Sequence, residues 1–381
     1  MLIYNGQIFG EDGKFRPASL RITGDRIQEI YPPGVGIPVS DSPGSWNASG
    51  CLIIPGLIDI HTHGSAGREF CDGRSGSLQV MGRYLASQGI TTFMPASMTL
   101  PEESLADAFR QAASYKRQNL SDRAELAGIY MEGPFFAKEK KGAQSAEYLR
   151  QPDIAFFDRL DSVSNRLIRV LCVAPELAGV PEFIARVKSR CVVSLAHTAA
   201  DYSTAAAAFA AGASLVTHLF NAMNPFGHRQ TGVPGAAFDH GSSVELISDG
   251  IHLHPAVIRA AFKLYGADRV ILVSDSMAAC GMADGEYLLG TQQVHVANGE
   301  ARLANGTIAG STTCLSEMLR RAVSFGIPPA DAIRAATLNP ARLLGLADRV
   351  GSLAVGKQAD LVILDDQLRI VRVLLRGSWY T

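Results

Sequence analysis

An excess of either charge is what this sequence most plainly lacks. Its 381 residues carry 35 Lys and Arg against 36 Asp and Glu, a formal charge of −1. Binding driven by neutralising nucleic-acid phosphates needs a cationic surplus, so that class of partner is set aside. No apolar run approaches the ~18 residues of a membrane span. The nearest, residues 203–216, is Ala-rich, short and interrupted by Gly212. Met1, Leu2, Ile3, Tyr4, Asn5 and Gly6 show no basic region leading into an apolar one, so no export signal is expected. The six cysteines (Cys51, Cys71, Cys172, Cys191, Cys280 and Cys314) are scattered, and none are paired as Cys-x-x-Cys. A disulfide framework or a thiolate zinc site is therefore not expected, whereas a reduced, cytoplasmic chain is. What is present is 47% hydrophobic residues, enough to exclude disorder and to fill a large core.

The length admits two to three domains, or one (β/α) barrel of ~250 residues with a smaller unit beside it. The ends are β-rich. Residues 2–9 carry an Asn5-Gly6 turn signal, 19–30 alternate around Gly24-Asp25, and 32–45 read as a Pro/Gly/Ser-rich loop. The last thirty or so residues return to this style, with β-branched runs at 360–364 and 369–375. The middle alternates instead. Strands are predicted at 52–60, 91–95, 127–131, 168–173, 192–196, 214–217, 244–248 and 270–274, with helical patterns such as 102–115, 181–189, 202–211 and 255–264 between them, and 316–325 and 329–337 after them. Eight such alternations predict an α/β fold: a (β/α)8 TIM-type barrel over 53–345, with a small β-sandwich domain formed by both termini, 1–52 and 346–381.

A catalytic barrel places its chemistry at the C-terminal ends of its strands, and ligand-type residues fall there. His61 and His63 follow the first strand run, Glu132 the third, His197 the fifth, His218 the sixth and Asp275 the eighth. Two histidines two residues apart share one face of a strand. Imidazoles and a carboxylate without thiolates suit Zn²⁺, Fe²⁺ or Co²⁺ at a catalytic site, with one or two ions. Glu132 lies between an apolar run and Gly133-Pro134-Phe135, where a carboxylate needs a cation, and it is placed to bridge two ions. Asp275 is placed as general base towards a metal-activated water. Arg229 and His252, on late loops, suit an anion such as a phosphate. His240, His254 and His295 lack such surroundings and read as structural or surface residues.

These residues sit in motifs that resemble the N-acetylglucosamine-6-phosphate deacetylases of the amidohydrolase superfamily. The motifs run from Pro55-Gly56-Leu57-Ile58-Asp59-Ile60-His61-Thr62-His63-Gly64 through Met131-Glu132-Gly133-Pro134-Phe135, Lys141-Gly142-Ala143 and Ala196-His197-Thr198. Beyond them come Thr217-His218-Leu219-Phe220-Asn221-Ala222-Met223, Asp249-Gly250-Ile251-His252, Val273-Ser274-Asp275-Ser276-Met277, Ile308-Ala309-Gly310-Ser311 and Gly356-Lys357-Gln358-Ala359-Asp360. The resemblance implies that Glu132, His197 and His218 hold the principal metal and His61 and His63 a second, and that Asp275 is the catalytic acid/base. It implies substrate contacts from Ala143, Asn221, Ala222, His252 and Ile308, Ala309, Gly310 and Ser311. It also implies a homodimer in which Arg229 reaches a phosphate on the neighbouring subunit. Gln144 stands where many members carry a histidine that polarises the acetyl carbonyl, and Gln230-Thr231-Gly232 stands where Glu-Pro-Gly is usual. The implied reaction is hydrolysis of the N-acetyl group of a phosphorylated amino sugar, with the galactosamine epimer, another amide, or a non-catalytic scaffold as the other readings.

Overall fold

In the computed structural model, described for residues 1–35, 44–118 and 120–380, the middle of the chain forms a ring of parallel strands. We label them β1 (Leu57–Thr62), β2 (Ile90–Pro95), β3 (Ile129–Met131), β4 (Ile168–Val173), β5 (Val192–Leu195), β6 (Leu215–Val216), β7 (Ser243–Leu246) and β8 (Val270–Leu272). β1 pairs with β2, and β3 to β8 pair in sequence order. Bridges Ala96–Tyr130 and Thr62–Ser276 join the two arcs at both seams. Residues inside such a ring are screened on both faces, which is why the runs are continuously apolar rather than alternating. Every residue of β1 and β2 is buried.

Helices follow the strands as the sequence predicts, and their ends have local causes. Tyr202–Ala211 begins where the Asp201 carboxylate accepts from Thr204 N–H at 2.8 Å and stops at Gly212, whose φ of 128° few other residues tolerate. Its face Ala205, Ala208 and Phe209 is buried, which accounts for the Ala-rich stretch. No helix among the described residues is long and apolar enough to cross a membrane.

Both termini enter one sheet. Its order is Ser378–Trp379, Ile370–Leu375, Leu361–Leu364, Leu52–Pro55, Leu2–Phe9, Phe15–Thr23 and Arg26–Tyr31, with Trp46–Asn47 beside Leu2–Phe9. The sheet curls until Trp46 meets Trp379, ring centroids 6.0 Å apart. It encloses its own core of Ile3, Ile8, Leu20, Ile22, Ile53, Leu361 and Leu374.

Two predicted features differ. The run at 52–60 is two strands, Leu52–Pro55 in the terminal sheet and Leu57–Thr62 in the barrel. They part at Gly56, where a Cβ would lie 2.2 Å from Thr91 Oγ1. Asn5-Gly6 is not a turn. Asn5 takes φ 63° and the register slips between Ile3 and Gly6, so the chain makes a bulge inside a continuous strand. Of the predicted 32–45 loop, residues 36–43 lie outside the described residues. A three-stranded antiparallel unit, Gly285–Leu289, Gln292–Ala297 and Glu300–Arg302, follows β8 and was not predicted.

Candidate metal centre

The strand ends bring all six ligand-type residues to one mouth of the barrel. His61 lies on β1, and Glu132 is the first residue after β3. His197, His218 and Asp275 follow β5, β6 and β8, and all three take left-handed backbone angles, φ 46°, 30° and 45°. Non-glycine residues avoid that region, so the surrounding structure must hold them there; such strain gathers at functional sites. For Asp275 the hold is visible: its N–H donates to His61 O at 2.8 Å and its C=O accepts from Ser311 N–H at 2.7 Å.

Glu132 is the hub. Its Oε1 lies 3.3 Å from His197 Nε2, 3.2 Å from His218 Nε2 and 3.6 Å from His61 Nε2; its Oε2 lies 3.2 Å from His63 Nε2. Asp275 Oδ1 is 3.2 Å from His63 Nε2 and 3.5 Å from His61 Nε2. The ligand atoms form two sets, His61–His63–Glu132 and Glu132–His197–His218, each with its atoms within 4.8 Å of one another.

The far side of most imidazoles is anchored. His61 Nδ1 meets Glu245 Oε2 at 3.0 Å, His63 Nδ1 meets Ala96 O at 3.2 Å and His197 Nδ1 meets Lys140 O at 2.9 Å. With Nδ1–H donating there, each Nε2 faces Glu132 and, once its proton is given up, offers the lone pair a metal ligand needs. His61 Nε2 and His218 Nδ1 are buried without a hydrogen-bond partner.

The electrostatics point the same way. Burial would push the Glu132 carboxyl up, but the His61 charge and hydrogen bonds from His197, His218 and His63 hold it well below the usual range. Burial opposes ionisation of Asp275 too, yet His61 and His63 bring it down to about 2. Burial would lower His61, but Asp275, Glu245 and Glu132 raise it to about 9, and His63 is raised well above its usual value against the same penalty. The cluster thus draws positive charge to its centre. A divalent ion meets that demand, displacing protons from the imidazoles as it binds. The residues present fit such a group.

A cavity of about 530 Å³ opens over the cluster. His63, Glu132, His197, His218 and Asp275 line its floor, and Ala143, Gln144, Asn221, Ala222, His252, Ile308 and Gly310 its walls. Of the residues expected at the substrate, Ala309 and Ser311 are buried and do not line the cavity, and Arg229 is exposed on its loop and does not line it either. His252 Nδ1 lies 2.6 Å from Asp249 Oδ2; burial disfavours its charge, but Asp249 outweighs this and raises it. His240 caps a helix end, His254 accepts from Ala256 N–H at 3.2 Å, and His295 pairs with Glu286 at the surface.

Sequence reasoning missed several participants. Glu245, wholly buried on β7, accepts from His218 N–H at 3.2 Å as well as meeting His61. Its signal was a lone Glu inside the apolar run Val244-Glu245-Leu246-Ile247. Tyr130 stacks on His61 with ring centroids 4.3 Å apart. Asp59 Oδ1 accepts from His61 N–H and Ser274 N–H, both at 3.3 Å, tying β1 to the chain after β8. Lys138, Lys140, Lys141, Leu289, Asn305 and Thr307 also line the cavity. All six cysteines are free.

Comparison with known proteins agrees with this geometry. The pattern of the Amidohydrolase family matches residues 52–379. N-acetylglucosamine-6-phosphate deacetylase of Bacillus subtilis is 36% identical over 99% of this chain and 93% of its own length. N-acetylgalactosamine-6-phosphate deacetylase of Escherichia coli O157:H7 is 35% identical over 98% of this chain and 97% of its own. Among solved structures, a mutant N-acetyl-D-glucosamine-6-phosphate deacetylase from Mycobacterium smegmatis, in complex with N-acetyl-D-glucosamine-6-phosphate, superposes with a TM-score of 0.91 at 33% identity, covering 100% of this chain and 99% of that one. With strand-end ligands, cavity and sequence in agreement, the chain belongs to the amidohydrolase family and groups within it with the N-acetylglucosamine-6-phosphate deacetylases.

Proposed function

We propose that the protein hydrolyses the acetamide of N-acetylglucosamine 6-phosphate to glucosamine 6-phosphate and acetate. The observation that carries this reading is the convergence of six buried ligand-type side chains, five of them on the floor of a cavity whose wall holds His252. Glu132, His197 and His218 are read as holding the principal divalent ion, and His61 and His63 a second, with Glu132 shared; Zn²⁺, Fe²⁺ and Co²⁺ suit these donors. Such an ion, when bound, polarises the acetyl carbonyl and lowers the pKa of water from 15.7 towards ~7. Asp275 takes the proton of the attacking water as the new C–O bond forms, then delivers it to the sugar nitrogen as the C–N bond breaks. His252 and the loop of Asn221 and Ala222 are read as holding the phosphate, with Ala143 and the segment Ile308, Ala309, Gly310 and Ser311 around the sugar. That grip at a distance sets the acetyl group over the ligand cluster.

Exposed Arg229 is read as completing the phosphate site of a second copy, which makes the active form a homodimer. The terminal sheet is read as a small β-sandwich domain, residues 1–52 and 346–381, around the barrel of 53–345. Six free cysteines support a reducing, cytoplasmic setting.

The gluco epimer is favoured because the superposing solved structure holds that sugar phosphate. The test measures kcat/KM for the N-acetylglucosamine and N-acetylgalactosamine 6-phosphates side by side, with unphosphorylated N-acetylglucosamine as control. The reading requires the gluco 6-phosphate to be the best of the three; a faster galacto substrate, or indifference to the phosphate, contradicts it.

A further inference from the structure

Gln144 is 2% exposed, and both ends of its side chain are engaged. Its Oε1 accepts from Thr99 N–H at 2.7 Å. A backbone N–H can only donate, so this contact fixes which end of the amide is oxygen. The opposite end, Nε2, donates to Glu132 Oε2 at 2.7 Å. The backbone around it is fixed as well: Gln144 N–H donates to Lys141 O at 2.9 Å, and Lys141 Nζ donates to Gln144 O at 3.2 Å.

The oxygen that Gln144 holds is the one facing His63. The other, Oε1, faces His197, His218 and, at 3.6 Å, His61. We propose that Gln144 is a positioning residue for the metal centre: its amide sets the rotation of the Glu132 carboxylate, so that one oxygen faces His197, His218 and His61 and the other faces His63. In this account its work is on Glu132 and not on the acetyl group: Thr99 holds its oxygen, and one of its two N–H groups is given to Glu132. A carboxylate oxygen has two lone-pair directions. The amide takes one on Oε2 and leaves the other for a cation beside His63. Being neutral, it leaves the full charge of Glu132 to the ions. The inference rests on reading the cluster as a metal centre.

The test titrates metal-free, full-length protein with Co²⁺ alone, following visible absorption and bound metal by elemental analysis, with no substrate present. Gln144→Met keeps the length of the side chain and removes the amide. Loss of a group that orients a ligand weakens metal binding roughly ten- to hundredfold, and the account predicts that loss, while KM for the sugar phosphate at saturating metal stays within about twofold. Gln144→His, which can still accept from Thr99 and donate to Glu132, restores most of the affinity. Wild-type Co²⁺ binding by the Met variant, with a raised KM or lowered kcat at saturating metal, overturns the proposal in favour of direct substrate contact. A wild-type protein that takes up no Co²⁺ refutes the metal-centre reading itself, a different result. Should the Met variant not fold, a crystal structure of the Co²⁺-loaded wild type decides: Nε2 within hydrogen-bond distance of Glu132 sustains the proposal, and Nε2 turned into the cavity overturns it.

Discussion

Asp275 shows how one side chain is prepared for proton transfer. It is buried on the cavity floor, and His61 and His63 outweigh the cost of that burial and bring its carboxyl down to about 2. Asp275→Asn keeps the shape and one acceptor oxygen but cannot take a proton. In steady-state assays its kcat should fall about 10²- to 10⁴-fold while elemental analysis shows metal retained; a nearly wild-type rate would remove the assigned role. His252→Asn should act on binding instead, raising KM for the 6-phosphate roughly tenfold or more, as expected when a charge-assisted contact is lost, and leaving the unphosphorylated sugar unaffected. An equal loss on both sugars would place His252 outside the phosphate site. The ligands could be read from sequence because an imidazole or carboxylate at the end of an apolar run has few structural reasons to be there. Glu245 escaped that reasoning because it lies within a strand rather than after one, and its partners, His61 and His218, are 184 and 27 residues away. The engagement of Gln144 was equally out of view, since nothing in the sequence brings Thr99 to its oxygen.

At the level of elements, the barrel strands and helices declared themselves through apolar runs and capping residues such as Asp201. The antiparallel unit at Gly285–Arg302 did not. Its strands are short and half-exposed, although burial alternates along both. Asn298-Gly299, a strong hairpin signal, was the clue available. The unit matters because Leu289 and, just beyond it, Asn305 and Thr307 line the cavity. Beside β2, Glu125 ties the helix Glu102–Gln118 to the chain that leads into Leu361–Leu364: its carboxylate meets Arg349 at 2.6 Å and Lys116 at 2.7 Å. Burial would raise this carboxyl, but Arg349 and Lys116 hold it below its ordinary value of 4.5. A lowered carboxyl contributes stability that is present above the unfolded pKa and lost as pH falls through the folded one. Glu125→Gln should therefore cost about 2 kcal/mol at neutral pH, and the difference in Tm from wild type should shrink below about pH 4. A difference independent of pH would show that the ion pairs are not its source.

For the whole molecule, one strand of the terminal sheet, Leu52–Pro55, runs straight into β1, so the sheet and the strand that carries His61 are one continuous piece of chain. The β-rich ends announced this shared sheet, whereas its curl onto itself depends on contacts such as Trp46 with Trp379, 333 residues apart, which no local pattern encodes. Arg229 belongs to a scale larger still. Exposed and off its own cavity, it gives a test of assembly. Arg229→Ala and Asp275→Asn proteins, each inactive, should regain about a quarter of wild-type activity when re-paired at random as an isologous dimer, because half the dimers then hold one intact site. No recovery on mixing would place Arg229 in its own subunit's chemistry or outside it altogether.

The most direct measurement strips the protein of metal, reloads it with Zn²⁺ or Co²⁺, and follows acetate released from N-acetylglucosamine 6-phosphate. Turnover that vanishes on stripping and returns on reloading, at around one or two ions per chain, is the predicted result. Acetate release indifferent to metal, or none from the loaded protein, would contradict the account.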